Sequence, residues 1–501
     1  MSGKNHLFQL IKALDKPEKR YVRLFISKNS IGDSNNYILL FDSYSKQKNL
    51  DENKLKKLVT HFAVTKHYLY EIILRALSSY HSESSTDVIL SGVVHRANLL
   101  FEKKLYQQCG DLARKGIKTA EKHDRHLRMI ELLDLELRSL HALVQVKELA
   151  AVNEKYLIRK KEMLVKQEQI YALQKYSNDS FIALKTKWVQ EKKNEAIPIL
   201  KESELASNTA KILYHQILSA RSFAENDTKK AFSQLMKLDK IFEENPSMVQ
   251  EHFNQYIAML NNMNLLLFER NDLDHIKQNI EKMRAIKTRS TEKYIRVRER
   301  LINVEMNVLK NTGEFEKGRR SMKEAEELLS SKKLSPVYRM LFQIDLCTFH
   351  FAFEEYRSAL KFLNLFLSES NVKIREDLQK TARILNMILH YELKNYDYFE
   401  SLLRSSKRFF KKIDTFDEME KLFLAFFPKA VSAVSEREKS ALFRELFETV
   451  RALSKNKIMT ETYFHNFNFV AWAGAKYRGK TYAKTVSDNF TANSLHSGKN
   501  Q

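Results

Sequence analysis

Along most of the chain, apolar residues recur at three- and four-residue intervals in long stretches closed by two or three polar residues. That pattern predicts a succession of amphipathic helices joined by short turns. From about residue 206 the turns themselves repeat. They read Asn226-Asp227-Thr228, Asn271-Asp272-Leu273, Gly313-Glu314-Phe315, Glu354-Glu355-Tyr356 and Lys394-Asn395-Tyr396, and their third residues are spaced by 45, 42, 41 and 40 positions. Three residues beyond each anchor stand Ala231, Ile276, Gly318, Ala359 and Phe399, and seven beyond stand Leu235, Ile280, Met322, Leu363 and Leu403. A single hairpin of helices cannot cover its own apolar face, whereas stacked hairpins bury a continuous core, so the period implies an array. An earlier copy begins at Lys104-Leu105-Tyr106, with Cys109 and Ala113 at the same offsets. Between it and Thr228 no anchors can be placed, because residues 145–200 read as long, highly charged helices broken near Pro198.

Residues 1–88 are punctuated differently. Asp15-Lys16-Pro17-Glu18 has the form of a helix start in which Asp15 caps free N–H groups, Pro17 lies in the first turn and Glu18 closes a capping box. A third helix is expected from Asn36 to Tyr44 and a fourth from Asp51, with the polar stretch Ser82 to Thr86 as the boundary. Within 51–80, apolar Leu58, Phe62, Val64, Leu69 and Ile72 are spaced as in a helix-turn-helix, with Thr65 as the cap of the second helix. That resemblance would turn Lys66, His67 and Tyr70 toward a DNA groove and place Lys54, Lys56 and Lys57 near phosphates. The competing reading, a further helical hairpin that caps the array, needs no ligand.

Composition narrows the class. Only 10 Gly and 5 Pro in 501 residues cannot supply the turns of a sandwich, barrel or doubly wound sheet, so the fold is expected to be all-α. Two distant cysteines, Cys109 and Cys347, fit buried thiols in a reducing compartment. The opening residues hold no uninterrupted apolar run and no later window reaches membrane-spanning length, so neither a leader nor an anchor is expected and the reading is cytoplasmic. No phosphate loop or nucleophile motif occurs, and His123-x-x-His126 with His141 lacks the companions of a metal site. The expectation is a non-enzymatic protein with no catalytic residue, cofactor or metal.

The formal charge of +23 comes from 85 bases against 62 acids. Most of it is interspersed, but three groups stand out: Arg404, Lys407, Arg408, Lys411 and Lys412 on one helix side; the run Arg284 to Arg300; and Lys476 to Lys484, where bases alternate with aromatics. Aromatic runs such as Phe349 to Phe353 and Phe423 to Phe427 are expected in the core, and Tyr463 to Trp472 in a final helix that seals the C-terminal end.

The repeated turn resembles that of the tetratricopeptide repeat, in which Gly/Asn-Asp/Glu-aromatic-x-x-Ala joins two antiparallel helices. The period of 40–45 is longer than the ~34 of that family, and the Trp-x-x-Leu-Gly of its first helix is missing. The resemblance implies a right-handed superhelical array of antiparallel helical hairpins. Its domains would be an N-terminal helical domain over 1–88, repeats over 89–430, capping helices over 431–486 and a disordered tail over 487–501. Stretches near Leu10 to Phe25, Asn36 to Asp42 and Lys66 to Leu77 are also similar to uncharacterised bacterial helical-repeat proteins. In the tetratricopeptide architecture the first helix of each hairpin lines the concave side. Seventeen residues before each anchor this gives Lys211, Tyr256, Arg298, Arg339 and Gln379, with Asn262, Asn303, Asn307 and Asn386 on the same helices. The function so implied is a scaffold whose groove binds a protein or an acidic peptide. The alternative is a DNA-binding regulator joining the helix-turn-helix to a helical-repeat sensor.

Overall fold

The computed structural model describes residues 6–29, 34–83, 85–185, 201–288, 290–331, 333–369, 376–412, 417–456, 459 and 463–497. Every regular element among them is a helix, as the scarcity of glycine and proline requires. No described helix is long and apolar enough to cross a membrane. The chain divides into two compact units, Met1–Met259 and Leu260–Gln501.

In the first unit, helices His6–Ala13, Lys16–Asn29, Ser34–Lys46, Glu52–Lys56 and Phe62–Tyr80 close around their own core of Leu7, Ile11, Val22, Ile26, Leu40, Phe41, Tyr44, Leu69 and Ile73. The capping box forms as expected: the Glu18 amide donates to Asp15 Oδ1 and the Asp15 amide to Glu18 Oε2, both at 2.8 Å. Three 17-residue helices follow, Thr86–Glu102, Tyr106–Lys122 and His126–Ala142, and then the 40-residue Val146–Lys185. Each packs on the next, and Val146–Lys185 also packs on Asn208–Ala224, which in turn pairs with Thr228–Glu244.

One backbone device joins the helices. Lys104, Asp124, Val144, Asn226, Asn271, Glu354 and Lys394 all adopt φ between +51° and +61°, and Gly313 has φ +77°. In each case the next residue donates its N–H to the carbonyl five positions back: Leu105 to Leu100, Arg125 to Ala120, Gln145 to Leu140, Asp227 to Ser222, Asp272 to Leu267, Glu314 to Leu309, Glu355 to His350 and Asn395 to His390. A left-handed residue thus closes one helix by satisfying a carbonyl of its last turn, and the chain is aimed directly into the next helix. Asp227 and Asp272 then cap that next helix through their carboxylates. The helix before the turn also recurs in length, except before Gly313, where Thr291–Thr312 has 22 residues. Thr86–Glu102, His126–Ala142, Asn208–Ala224, Phe253–Glu269, Pro336–Ala352 and Glu376–Glu392 all have 17 residues. The turns at Asp124 and Val144 lie where the sequence offers no anchor, and they place a hairpin beside the one at Lys104.

The second unit holds one continuous core running from Ile302 to Val486. Phe349, Phe351, Phe423 and Phe427 lie inside it, as expected of those aromatic runs, and both cysteines of the chain are buried. The sealing helix begins at Phe469 rather than at Tyr463. Trp472 on it is ringed by Phe423, Phe427 and Phe443, and its indole N–H donates to Glu392 Oε1 at 2.7 Å. The last helix, Tyr482–Ser497, continues through most of the stretch expected to be disordered and packs on Thr291–Thr312. Its Tyr482 stacks on Phe467 with ring centroids 4.9 Å apart, which ties the C-terminus to the core.

Candidate interaction surface

The groove residues read from the sequence fall in different environments. Tyr256 is buried with its ring 4.9 Å from that of Phe242, and Gln379 and Asn386 are buried within the helix packing. Arg298 is taken up by Glu324. Arg339 donates to the carbonyls of Leu329 and Ser331 at 2.6 and 2.8 Å, closing the end of the preceding helix. Lys211, Asn262, Asn303 and Asn307 are half-buried, and the amide oxygens of Asn303 and Asn386 are buried without a hydrogen-bond partner among the described residues.

The nucleic-acid candidates are arranged as follows. Lys54, Lys56, Lys57 and His67 are exposed, Tyr70 is half-buried, and Lys66 is held by Glu52 at 2.5 Å. The helix expected to lead the motif is only the five residues Glu52–Lys56. Thr65 lies inside the following helix, buried, with its hydroxyl donating to the Thr60 carbonyl, whereas Leu58 and Val64 are about half exposed. The helix starts earlier than the cap residue suggested because His61, with φ +51°, turns the chain into it. Val59 rather than Leu58 enters the core.

The structure separates the three basic groups, which look alike in sequence. In the first, Arg284 pairs with Glu281 and Glu305, Arg296 with Glu292, Arg298 with Glu324 and Arg300 with Glu299. Near the C-terminus, Lys476 pairs with Glu392, while Lys480 and Lys484 share Asp488. Helix Phe399–Lys412 differs. It turns Phe399, Leu402, Ser406 and Phe410 inward, so the three- and four-residue spacing leaves Arg404, Lys407, Arg408 and Lys411 together on the solvent side. Arg404 reaches Glu400 at 3.3 Å, an exposed contact, and Lys407, Arg408 and Lys411 have no ion pair among the described residues. At the start of this helix a cleft of about 320 Å³ is lined by His390, Asn395, Asp397 and Tyr398. Burial holds the His390 ring below the ordinary histidine range, and Tyr398 packs 5.0 Å from it while remaining half exposed.

Other polar clusters are internal. Glu251 joins Arg125, His123 and Thr86, tying three segments of the first unit. Lys380 lies between Asp417 and Glu420, both of which accept from the Tyr463 hydroxyl. Burial raises the Glu420 carboxyl, opposed by that hydroxyl and by Lys380. Lys310 and Asp345 form a pair in the core, where burial raises the Asp345 carboxyl against the pull of Lys310. His123 meets Glu251, His126 is buried, and no group of three or more metal-ligating side chains occurs among the described residues. No family model matches the chain, and no curated protein or solved structure is significantly similar to it.

Proposed function

We propose that the protein is a non-enzymatic cytoplasmic scaffold, a tetratricopeptide-like superhelical array of hairpins that holds a protein or peptide partner bearing acidic groups. The recurrence of a 17-residue helix closed by the same left-handed turn carries this reading, since equal units in series build an extended surface. The basic face of Phe399–Lys412, where Lys407, Arg408 and Lys411 have no ion pair among the described residues, lies beside a cleft with an exposed tyrosine and supports the acidic character of the partner.

The test is fluorescence anisotropy of glutamate- and aspartate-rich peptides against the purified full chain and the triple variant Arg404→Glu, Lys407→Glu, Arg408→Glu. Saturable binding that weakens at least about tenfold in the variant, with unchanged helicity, is the expected result. Binding insensitive to the triple variant removes this face from the proposal. A second arm titrates random duplex DNA at about 50 and about 200 mM salt, where phosphate contacts lose affinity steeply. Binding that follows this slope and is abolished by Lys56→Glu with Lys57→Glu would favour the DNA-regulator alternative, which the exposed Lys54, Lys56, Lys57 and His67 support and the Lys66–Glu52 pairing weakens.

A further inference from the structure

The helix Val146–Lys185 is packed on one side and open on the other. Tyr156, Met163 and Ile170, seven residues apart, are buried together with Leu173, and the Tyr156 hydroxyl donates to Glu136 on the neighbouring helix at 2.6 Å. On the opposite side Leu157, Ile158, Leu164, Val165 and Tyr171 are 50, 51, 56, 53 and 55% exposed. At 3.6 residues per turn these five share one face with Glu154, Lys161, Glu168 and Lys175. All four charged residues are exposed and form no ion pair with a described residue, although the flanking Arg159 and Lys160 are paired to Glu121 and Asp134.

The order of residues on this face is its own complement when reversed. A two-fold axis between positions 164 and 165 sets Leu164 of one copy opposite Val165 of the other, Ile158 opposite Tyr171, and Leu157 opposite Ala172. The same axis sets Lys161 opposite Glu168 and Glu154 opposite Lys175. Every charged position meets its opposite and every large apolar position meets an apolar one, over 22 residues or about 33 Å of helix. A parallel, in-register pair would instead set Lys161 on Lys161 and Glu168 on Glu168, which disfavours it. We infer that this face is covered by the same helix of a second copy, antiparallel, in a two-fold symmetric dimer. The inference depends on this helix alone and stands independently of the partner proposed above.

The experiment is sedimentation velocity on the full chain and on variants at exposed positions, with circular dichroism as the check on folding. Wild type should reversibly dimerise. Lys161→Glu alone faces Glu168 across the axis twice, converting two attractions to two repulsions, and should weaken the dimer about tenfold, or roughly 1.4 kcal/mol. Lys161→Glu with Glu168→Lys restores complementarity and should recover wild-type association. A parallel in-register pairing only exchanges one like-charge contact for another in Lys161→Glu, so it has no such loss to recover. A chain that stays monomeric up to about 100 μM overturns the proposal, as does a dimer indifferent to Lys161→Glu or one that the double variant fails to restore.

Discussion

Gly318 is the position where one methyl group should do the most damage. It precedes helix Arg319–Leu329 with φ −82°, so alanine is allowed there by the backbone and any cost must be steric. A Cβ would stand 2.2 Å from Cε1 of Phe349 and 3.0 Å from its Cδ1 and Cζ. Carbon contacts settle at ~3.5–4.0 Å, so the ring would have to retreat by more than ~1 Å. It has nowhere to go: Phe349 is fully buried, with its edge against Phe315 at 5.3 Å, and Phe315 is itself 2% exposed. Overpacking of this kind costs about 1–3 kcal/mol, and because Gly318 is the N-cap of the helix, where alanine has no advantage over glycine, nothing offsets that loss. Urea unfolding followed by Trp472 fluorescence, with Trp188 replaced by Phe, reads this unit directly. Phe349→Leu in the Gly318→Ala background should recover part of the loss by making room. At Gly92, mid-helix, a Cβ meets only the mobile end of Arg96 at 3.2 Å, so Gly92→Ala should stabilise by about 0.5–1 kcal/mol, read by whole-chain circular dichroism. If Gly318→Ala is neutral or stabilising, the steric reasoning fails.

Three further outcomes are expected. Gly313→Asn should destabilise even though asparagine occupies the same left-handed position at 226 and 271, because its Cβ would lie 2.6 Å from the Ser487 backbone nitrogen. Hydrogen exchange should show helix Tyr482–Ser497 losing protection first. Asp345→Leu should cost about 3–5 kcal/mol in urea unfolding by stranding the Lys310 ammonium in the core, whereas Lys310→Met with Asp345→Leu should be close to wild type or better. Acidification from about pH 7.5 to about 5.5 should weaken the first unit. Burial holds the His126, His215 and His252 rings below the ordinary histidine value of about 6.5, and nearby carboxylates oppose that shift. The stability from keeping these rings neutral is full above that value and lost as pH falls below it, because the unfolded chain then takes up the protons. Exchange protection of His126–Ala142 and Asn208–Ala224 measures this, and no change across the interval would refute it.

The hairpins were legible where residue chemistry and backbone geometry agree. Asn226, Asn271 and Gly313 tolerate the left-handed region, Asp227 and Asp272 cap helices, and Ala231, Gly318 and Ala359 let two helices approach closely. The turns at Asp124 and Val144 use the same bonds without the rest of that pattern. Valine is among the poorest left-handed residues, and the positions three beyond the anchors hold Met129 and Leu149 instead of a small side chain. The 40-residue helix that follows also hides the period. The site was less legible because it depends on pairing across helices. Nothing local to Arg298 discloses Glu324, and nothing local to Lys407 or Arg408 discloses that they form no ion pair among the described residues. The complementary face of Val146–Lys185 was readable in principle, since its sevenfold spacing lies in the sequence, but the side facing water could be told only once Tyr156, Met163 and Ile170 were seen to be buried.

The way the C-terminal helix closes the second unit bears on the order in which the molecule is made. Much of the first unit joins neighbours in sequence, so its hairpins can condense as they leave the ribosome. In the second unit, Phe315 and Phe351 wait for Tyr482, whose ring meets both at 5.9 and 5.3 Å. At 5–20 residues per second, the interval from Phe315 to Tyr482 takes roughly 10–30 s to synthesise. Throughout it the side of each ring that Tyr482 covers stays open, which marks the nascent second unit as a client for holding chaperones and puts truncations before residue 482 at risk of aggregation.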